Sequence, residues 1–82
     1  MNIASWNIRG ISDPIKADDV RKICAENGIS LIGLLETRVN SLNEDLIKQR
    51  IGPRWSFVVN RLARSRMWIG WNPRAWNVQV VV

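Results

Sequence analysis

An apolar run at residues 29–35 sets the main constraint on the fold of this chain. It reads Ile29-Ser30-Leu31-Ile32-Gly33-Leu34-Leu35. Such a short, nearly continuous run is typical of a strand that is buried on both faces of a sheet. Residues 2–8 alternate between apolar and polar side chains and predict an earlier strand.

A helix is predicted between these two strands. Asp13 is a good capping residue, and Pro14 fits the first helical position, where a missing N–H costs nothing. Gly28 suits the left-handed conformation that ends a helix. The apolar residues recur at helical spacing and form one stripe: Ala17, Val20, Ile23 and Cys24. Strand, helix and strand together indicate a βαβ unit with two parallel strands.

The rest of the chain predicts one more helix and three more strands. Ser41 and Glu44 make an S-x-x-E capping box, and Gly52-Pro53 ends the helix. Its apolar side would consist of Leu42, Leu46, Ile47 and Ile51. The predicted strands are Trp55–Asn60, Met67–Trp71 and Trp76–Val82, with Arg61–Arg66 as a basic loop and Asn72-Pro73-Arg74 as a turn. We therefore expect one α/β domain over residues 1–82, in the order β-α-β-α-β-β-β.

Composition excludes several classes of protein. The chain has 82 residues, of which 46% are hydrophobic, which is too apolar for a disordered segment. No stretch approaches the roughly 20 apolar residues of a membrane span. The single cysteine, Cys24, cannot form an internal disulfide and is expected to be a small core residue. This pattern favours a reducing, intracellular location.

The charge is divided unevenly between the two halves of the chain. Residues 1–45 hold five basic and seven acidic residues, a net charge of −2, whereas residues 46–82 hold seven basic and no acidic residues, a net charge of +7. Such a basic half suits a polyanion as partner. A solvated basic face would give the same composition, so both interpretations stay open.

Two polar residues mark a candidate site where the predicted parallel strands end. Asn7 closes the first strand, and Glu36 directly follows the apolar run. The carboxyl ends of parallel strands share one edge of the sheet, where α/β proteins place ligands. An amide oxygen beside a carboxylate suits Mg²⁺ or Mn²⁺. Alternatively, Asn7 would stabilise a turn and Glu36 would pair with Arg9 or Arg38.

These residues lie in two segments that resemble a known family. Ser5-Trp6-Asn7-Ile8-Arg9-Gly10 resembles the first-strand W-N-[IV]-x-G motif of the endonuclease/exonuclease/phosphatase superfamily, and Leu34-Leu35-Glu36-Thr37-Arg38 resembles its second-strand motif. Residues 55–57 and 67–73 are similar to the apurinic/apyrimidinic endonuclease-like domains of plant LINE-type (non-LTR) retrotransposons, which accompany a reverse transcriptase. The resemblance covers essentially the whole chain.

The resemblance implies a fold and an activity. The chain would be the N-terminal part of a two-sheet α/β sandwich, with Asn7 and Glu36 at a site for Mg²⁺ (or Mn²⁺). Such enzymes hydrolyse phosphodiesters, and the retrotransposon members nick chromosomal DNA, which implies a nuclear location. The family's later catalytic groups include a tyrosine, an Asp-x-Asn pair and a terminal histidine motif. This chain has no histidine or tyrosine, and its last acidic residue is Asp45.

We therefore expect a fragment that lacks the C-terminal part of its own domain and is inactive alone. A catalytically dead nucleic-acid-binding module and a non-functional gene remnant are the alternatives. The arginines expected to contact DNA are Arg61, Arg64, Arg66 and Arg74. For most of the five tryptophans we expect packing within the fold, and stacking on a base is the alternative.

Overall fold

Strands and helices alternate along the described part of the chain, residues 2–11, 13–60 and 66–79, in a computed structural model. The strands are β1 (Asn2–Asn7), β2 (Ile29–Leu35), β3 (Ser56–Asn60) and β4 (Met67–Trp71). The α-helices are α1 (Pro14–Asn27) and α2 (Glu44–Ile51), and a short 3₁₀ turn, Ser41–Asn43, precedes α2. The result is a mixed α/β architecture.

The four strands form one mixed sheet in the order β1-β2-β4-β3. β1 and β2 are parallel, as the predicted βαβ unit requires, whereas β4 is antiparallel to both β2 and β3. The two strands that end in Asn7 and Leu35 therefore point the same way, and β4 begins at the edge of the sheet where they end.

Helix α1 begins and ends where its capping residues predict. The Asp13 side chain accepts a hydrogen bond from the Ile15 amide at 2.9 Å, with Pro14 at the first helical position. Gly28 takes the left-handed conformation with φ 63°, and its amide donates to the Cys24 carbonyl. Ala17, Val20 and Cys24 are buried, but Ile23 of the predicted stripe is exposed.

The predicted capping box of the second helix is wrong. Asn40, not Ser41, supplies the cap, because its side-chain oxygen accepts from the Leu42 amide at 3.0 Å and starts a 3₁₀ turn. The α-helix begins only at Glu44 and has eight residues. Two helical turns bury one narrow stripe, Ile47 and Ile51, while Leu42 is 89% exposed and Leu46 is also exposed.

Both helices pack on one face of the sheet. A single core cluster joins α1 and α2 to Ile32 and Leu34 of β2 and to Trp68 of β4. Because strand side chains alternate between faces, Leu31, Gly33 and Leu35 point to the other side, where Leu35 is exposed. The expectation that β2 is buried on both faces is therefore wrong: Leu31 and Gly33 are only half-buried on the second face, although Trp71, the register partner of Leu31, is buried there.

The predicted strand Trp76–Val82 is not formed in its described part, residues 76–79, and residues 80–82 lie outside the described range. The turn predicted at Asn72-Pro73-Arg74 is present, at residues 73–75. The Trp76 indole N–H donates to the Ser30 hydroxyl at 2.7 Å, and the Asn72 amide donates to the Ser30 carbonyl at 2.8 Å. The physical reason is that β4 already has a neighbour on each side, so a strand following it by a tight turn has no free edge to pair with.

Candidate functional site

The strand register brings Asn7 and Glu36 to the same edge of the sheet. Asn7 is the register partner of Leu35, and Glu36 is the next residue after Leu35. Both residues therefore lie at the carboxyl ends of the parallel pair, as the sequence predicts. The carboxyl-end edge of β1 and β2, residues 7–11 and 36–38, is called the parallel edge below.

Backbone pairing continues past the strands and holds the two loops of the parallel edge side by side. The amide of Ile8 donates to the Leu35 carbonyl at 3.1 Å, that of Gly10 to the Glu36 carbonyl at 2.7 Å, and that of Ile11 to the Thr37 carbonyl at 2.9 Å. Ile8, Ile11 and Thr37 are buried, whereas Glu36 is half-buried. The buried residues anchor the loops, and the remaining polar side chains are exposed at the surface: Asn7, Arg9 and Arg38.

The same edge concentrates unusual backbone conformations. In the described chain, the non-glycine residues with positive φ are Arg9 (51°), Glu36 (57°), Arg38 (52°) and Arg66 (32°). All four lie at the parallel edge or beside it. Left-handed backbone costs an L-residue on the order of 1–3 kcal/mol, and it persists only where its surroundings enforce it. Such strain concentrates at functional sites, so it marks this edge as the candidate site.

Thr37 and Arg66 link the parallel edge to the start of β4. The Thr37 amide and hydroxyl both donate to the Arg66 carbonyl, at 3.0 and 3.1 Å. In return, the Arg66 guanidinium donates to the Val39 carbonyl. Arg66 therefore holds the loop after Glu36, and its predicted contact with DNA stays a prediction. Sequence reasoning gave Thr37 no role, although it stands between Glu36 and Arg38.

The side chain of Glu36 makes no hydrogen bond or ion pair with any described residue. The ion pair found among those residues joins Arg50 of α2 to Asp18 of α1 at 3.3 Å. Neither Arg9 nor Arg38 pairs with Glu36, so that alternative for the carboxylate is not seen. The Glu36 carboxylate therefore has no protein partner among the described residues and is free to bind an external cation.

The donor set of the parallel edge fits a hydrated divalent ion. Within the described residues there is no group of three or more histidine, cysteine or acidic side chains that could enclose a metal. Mg²⁺, however, is commonly held by one or two carboxylates, with water and phosphate oxygens as its other ligands. Glu36 would supply the charged oxygen and Asn7 a neutral one. The other ligands would come from solvent or from a phosphate.

The arginines predicted to contact DNA do not form one surface. Arg61 and Arg64 lie outside the described residues. Arg66 precedes β4 at the parallel edge, whereas Arg74 follows β4 and lies at the opposite end of the sheet. Arg74 instead lines a cleft of about 430 Å³ together with Arg21 and Arg54, which sequence reasoning missed. A Pro-Arg pair at both Pro53 and Pro73 was a signal for this cleft.

The tryptophans are mainly packing residues, as expected. Trp68 and Trp71 are buried, and Trp6 and Trp55 pack against the core while remaining half-buried. The Trp68 ring meets the Phe57 ring edge-on at 6.0 Å, and the Lys48 ammonium lies 5.8 Å from the Trp68 ring centre. The half-buried Trp55 also lines the cleft that contains Arg21, Arg54 and Arg74.

Comparison with known proteins identifies no relative: no family model, no curated protein and no solved structure matches this chain. In the part of the chain that the structure describes, no helix has the length and apolar character needed to cross a membrane.

Proposed function

We propose that this chain carries the divalent-metal residues of a phosphodiester-cleaving DNA endonuclease domain of the retrotransposon type. Asn7 and Glu36 would bind Mg²⁺ or Mn²⁺, and the remaining catalytic groups of the domain would come from outside this chain. The family resemblance of the segments around these residues motivates the proposal, and the geometry of the parallel edge supports it.

One observation carries the proposal. Glu36 is a half-buried residue whose side chain has no partner among the described residues, it is held in a strained left-handed conformation, and it directly follows Leu35, the register partner of Asn7. A residue with only a structural role would gain from a relaxed backbone or a salt bridge. The cost of the left-handed backbone and the lack of a partner for the carboxylate are both offset if the carboxylate binds a cation when DNA is present.

The residues of the parallel edge would have separate roles in binding the metal ion and the DNA. When bound, the metal ion would stabilise negative charge on the phosphate and on the leaving oxygen. Glu36 would hold the ion by charge and Asn7 by its amide oxygen. Arg9 and Arg38, exposed on either side of Glu36, would attract the DNA backbone and orient a phosphodiester towards it.

Turnover by this chain alone should be negligible. General acid–base catalysis contributes about 10²–10⁴ in rate, and histidine and tyrosine, which often supply it, are absent from the sequence. Metal binding without cleavage is therefore the expected behaviour. The nucleus is the compartment in which such a protein would meet chromosomal DNA.

Mn²⁺ binding to the 82-residue protein tests the assignment. The change in water-proton relaxation reports bound Mn²⁺ and requires no catalysis. We expect Glu36→Gln to weaken Mn²⁺ binding by about 10-fold or more, since the variant keeps the shape of the side chain and loses its charge. Glu26→Gln, an equal change of charge on the exposed face of α1, is the matched control and should bind as the parent does. Equal binding by the two variants would reject the metal site.

A nucleic-acid-binding module without catalysis is the second candidate, favoured by the net charge of +7 in residues 46–82. It predicts DNA binding that weakens steeply with salt and is indifferent to Mg²⁺ and to Glu36→Gln. A gene remnant is the third candidate, and detection of the protein in cells would exclude it.

A further inference from the structure

Two turns with the same construction lie side by side at the end of the sheet opposite the parallel edge. Gly52-Pro53-Arg54-Trp55 leads into β3, and Asn72-Pro73-Arg74-Ala75 follows β4. In each turn the amide of the fourth residue donates to the carbonyl of the first at 3.0 Å. Each has proline second and arginine third. Because Ser56 and Trp71 are register partners, the two turns adjoin one another.

The construction of these turns restricts where their arginines can lie. Proline holds φ near −65° at the second position, which suits a tight turn and removes backbone freedom before binding. In the second turn the Asn72 side-chain oxygen also accepts from the Arg74 amide at 3.0 Å. The backbone beneath Arg54 and Arg74 is therefore set in advance, and only the side chains need to be ordered by a ligand.

A third arginine completes the cleft between the turns. Arg21 of α1 lines the same cavity of about 430 Å³ as Arg54 and Arg74. None of these three arginines has an ion pair with a described residue, and none of the seven acidic residues of the chain lines the cleft. Guanidinium groups make paired hydrogen bonds to phosphate oxygens, so three of them around one cleft suit a phosphate-bearing ligand.

The other wall of the cleft is aromatic and apolar. Trp55 is half-buried and folds back on its own turn, since a Cβ at Gly52 would lie 2.7 Å from the Trp55 ring. Beyond Trp55 a smaller hollow of about 200 Å³ continues the cleft and is lined by Cys24, Ala25 and Ile29. A flat ring beside a group of arginines is the combination that binds a base and its phosphate.

We propose that this cleft, lined by Arg21, Arg54, Arg74 and Trp55, binds a nucleotide unit. The arginines hold the phosphate, and the base lies against Trp55 and the apolar hollow. The unit is either a free nucleotide or part of a single-stranded nucleic acid. The site is separate from the parallel edge and does not depend on Asn7, Glu36 or a metal ion.

Two charge-neutralising pairs of substitutions, one in the cleft and one outside it, test the proposal. Binding of a fluorescein-labelled (dT)8 strand to the full chain is followed by anisotropy. We expect Arg54→Gln/Arg74→Gln to raise Kd by about 10-fold or more and to reduce the salt dependence of log Kd by about one to two. Lys16→Gln/Lys22→Gln removes the same charge from α1 outside the cleft lining and should change Kd less than about 3-fold.

The control pair also provides the results that would overturn the proposal. Equal losses in both pairs would show that only overall charge matters, and a larger loss in Lys16→Gln/Lys22→Gln would place the strand on α1, outside the cleft. Either result overturns the assignment. The four substituted residues lie at the surface, and none makes an ion pair with a described residue, so thermal unfolding of the variants, measured alongside, should match the parent within about 0.5 kcal/mol in unfolding free energy.

Small ligands test the base contact and separate the two sources of the nucleotide. Thymidine monophosphate should bind more tightly than inorganic phosphate or a glutamate peptide of equal charge, and it should shift the indole N–H resonance of Trp55. Trp55→Leu, which keeps an apolar side chain, should remove that preference. No preference in the parent protein would overturn the base contact. Tighter binding of (dT)8 than of the mononucleotide assigns the cleft to a strand, and equal binding assigns it to free nucleotide.

Discussion

The ring of Phe57 lies directly over Gly70, its register partner across β3 and β4. A Cβ at Gly70 would be 2.6 Å from the Phe57 Cε1 atom, closer than any ordinary contact. The ring in turn meets the buried Trp68 edge-on. Gly70 is thus present because an aromatic ring occupies the space of its missing side chain.

Gly70→Ala should destabilise the protein. The Phe57 ring would have to leave its place beside Trp68, at a cost of about 1–3 kcal/mol in the free energy of unfolding. Gly33→Ala is the matched control, because the nearest atom to a Cβ there is 3.9 Å away. Urea unfolding followed by circular dichroism measures both. A loss at Gly33 as large as that at Gly70 would show that glycine is needed for another reason.

Glu36→Gly should stabilise the fold while removing the candidate metal ligand. Glycine relieves the left-handed strain at φ 57°, and relief of about 1–2 kcal/mol exceeds the extra chain entropy of glycine, about 0.5–1 kcal/mol. A glycine in the interior of a helix has the opposite effect, so Lys22→Gly at an exposed position of α1 should cost about 1 kcal/mol. Thermal unfolding of both variants checks the contrast. Destabilisation by Glu36→Gly would mean that its side chain has a packing role.

Thr37→Val should loosen the parallel edge without changing its charge. The variant keeps the volume of a fully buried side chain and removes the hydroxyl donor to the Arg66 carbonyl. The loss should be about 0.5–1.5 kcal/mol in unfolding free energy, because the Thr37 amide still donates to the same carbonyl. Amide hydrogen exchange at residues 36–39 should accelerate. Unchanged exchange there would show that the Thr37 hydroxyl does not stabilise this loop.

Stability should decline at alkaline pH because of Cys24. Burial raises the pKa of the Cys24 thiol above its ordinary value, so the folded state retains this proton more firmly than the unfolded state. The stability that the protonated thiol contributes is therefore fully present below the unfolded pKa, near pH 8.5, and it is lost as pH rises through the higher folded pKa. Urea unfolding of the parent and Cys24→Ala from pH 7 to 10 measures it. The parent should be the more stable by about 1 kcal/mol at pH 7, with a difference that shrinks as pH rises. A constant difference would contradict the prediction.

Local signals in the sequence were sufficient for much of the fold. Asp13 and Gly28 delimit α1 correctly, and the apolar run 29–35 is β2 to the residue. These signals succeed because a cap or a left-handed glycine acts on its own neighbours in the chain. The shared edge of Asn7 and Glu36 was also predictable, since a βαβ unit makes its strands parallel.

Other features depend on which strand lies beside which, and local patterns do not contain that information. Residues 76–79 have a strand-like pattern but cannot pair with β4, the strand that they follow, because β4 lies between β2 and β3. Arg66 and Arg74 belong to one basic segment of sequence, yet the length of β4 separates them. The backbone strain at Glu36 could not be predicted from local patterns either, since it arises where residues 35–37 pair with residues 8–11.

The amino-acid sequence alone determined the ends of α1, the positions of β1 to β4 to within about one residue, and the parallel pair that brings Asn7 and Glu36 to one edge of the sheet. Only the tertiary structure decided that both helices cover one face of the sheet and that Thr37 donates two hydrogen bonds to the Arg66 carbonyl. It also decided that Arg21 lies with two separate proline turns around one cleft. The physical reason is range: capping and side-chain periodicity act within a few residues, whereas burial, strand order and the approach of distant arginines follow from how the whole chain packs.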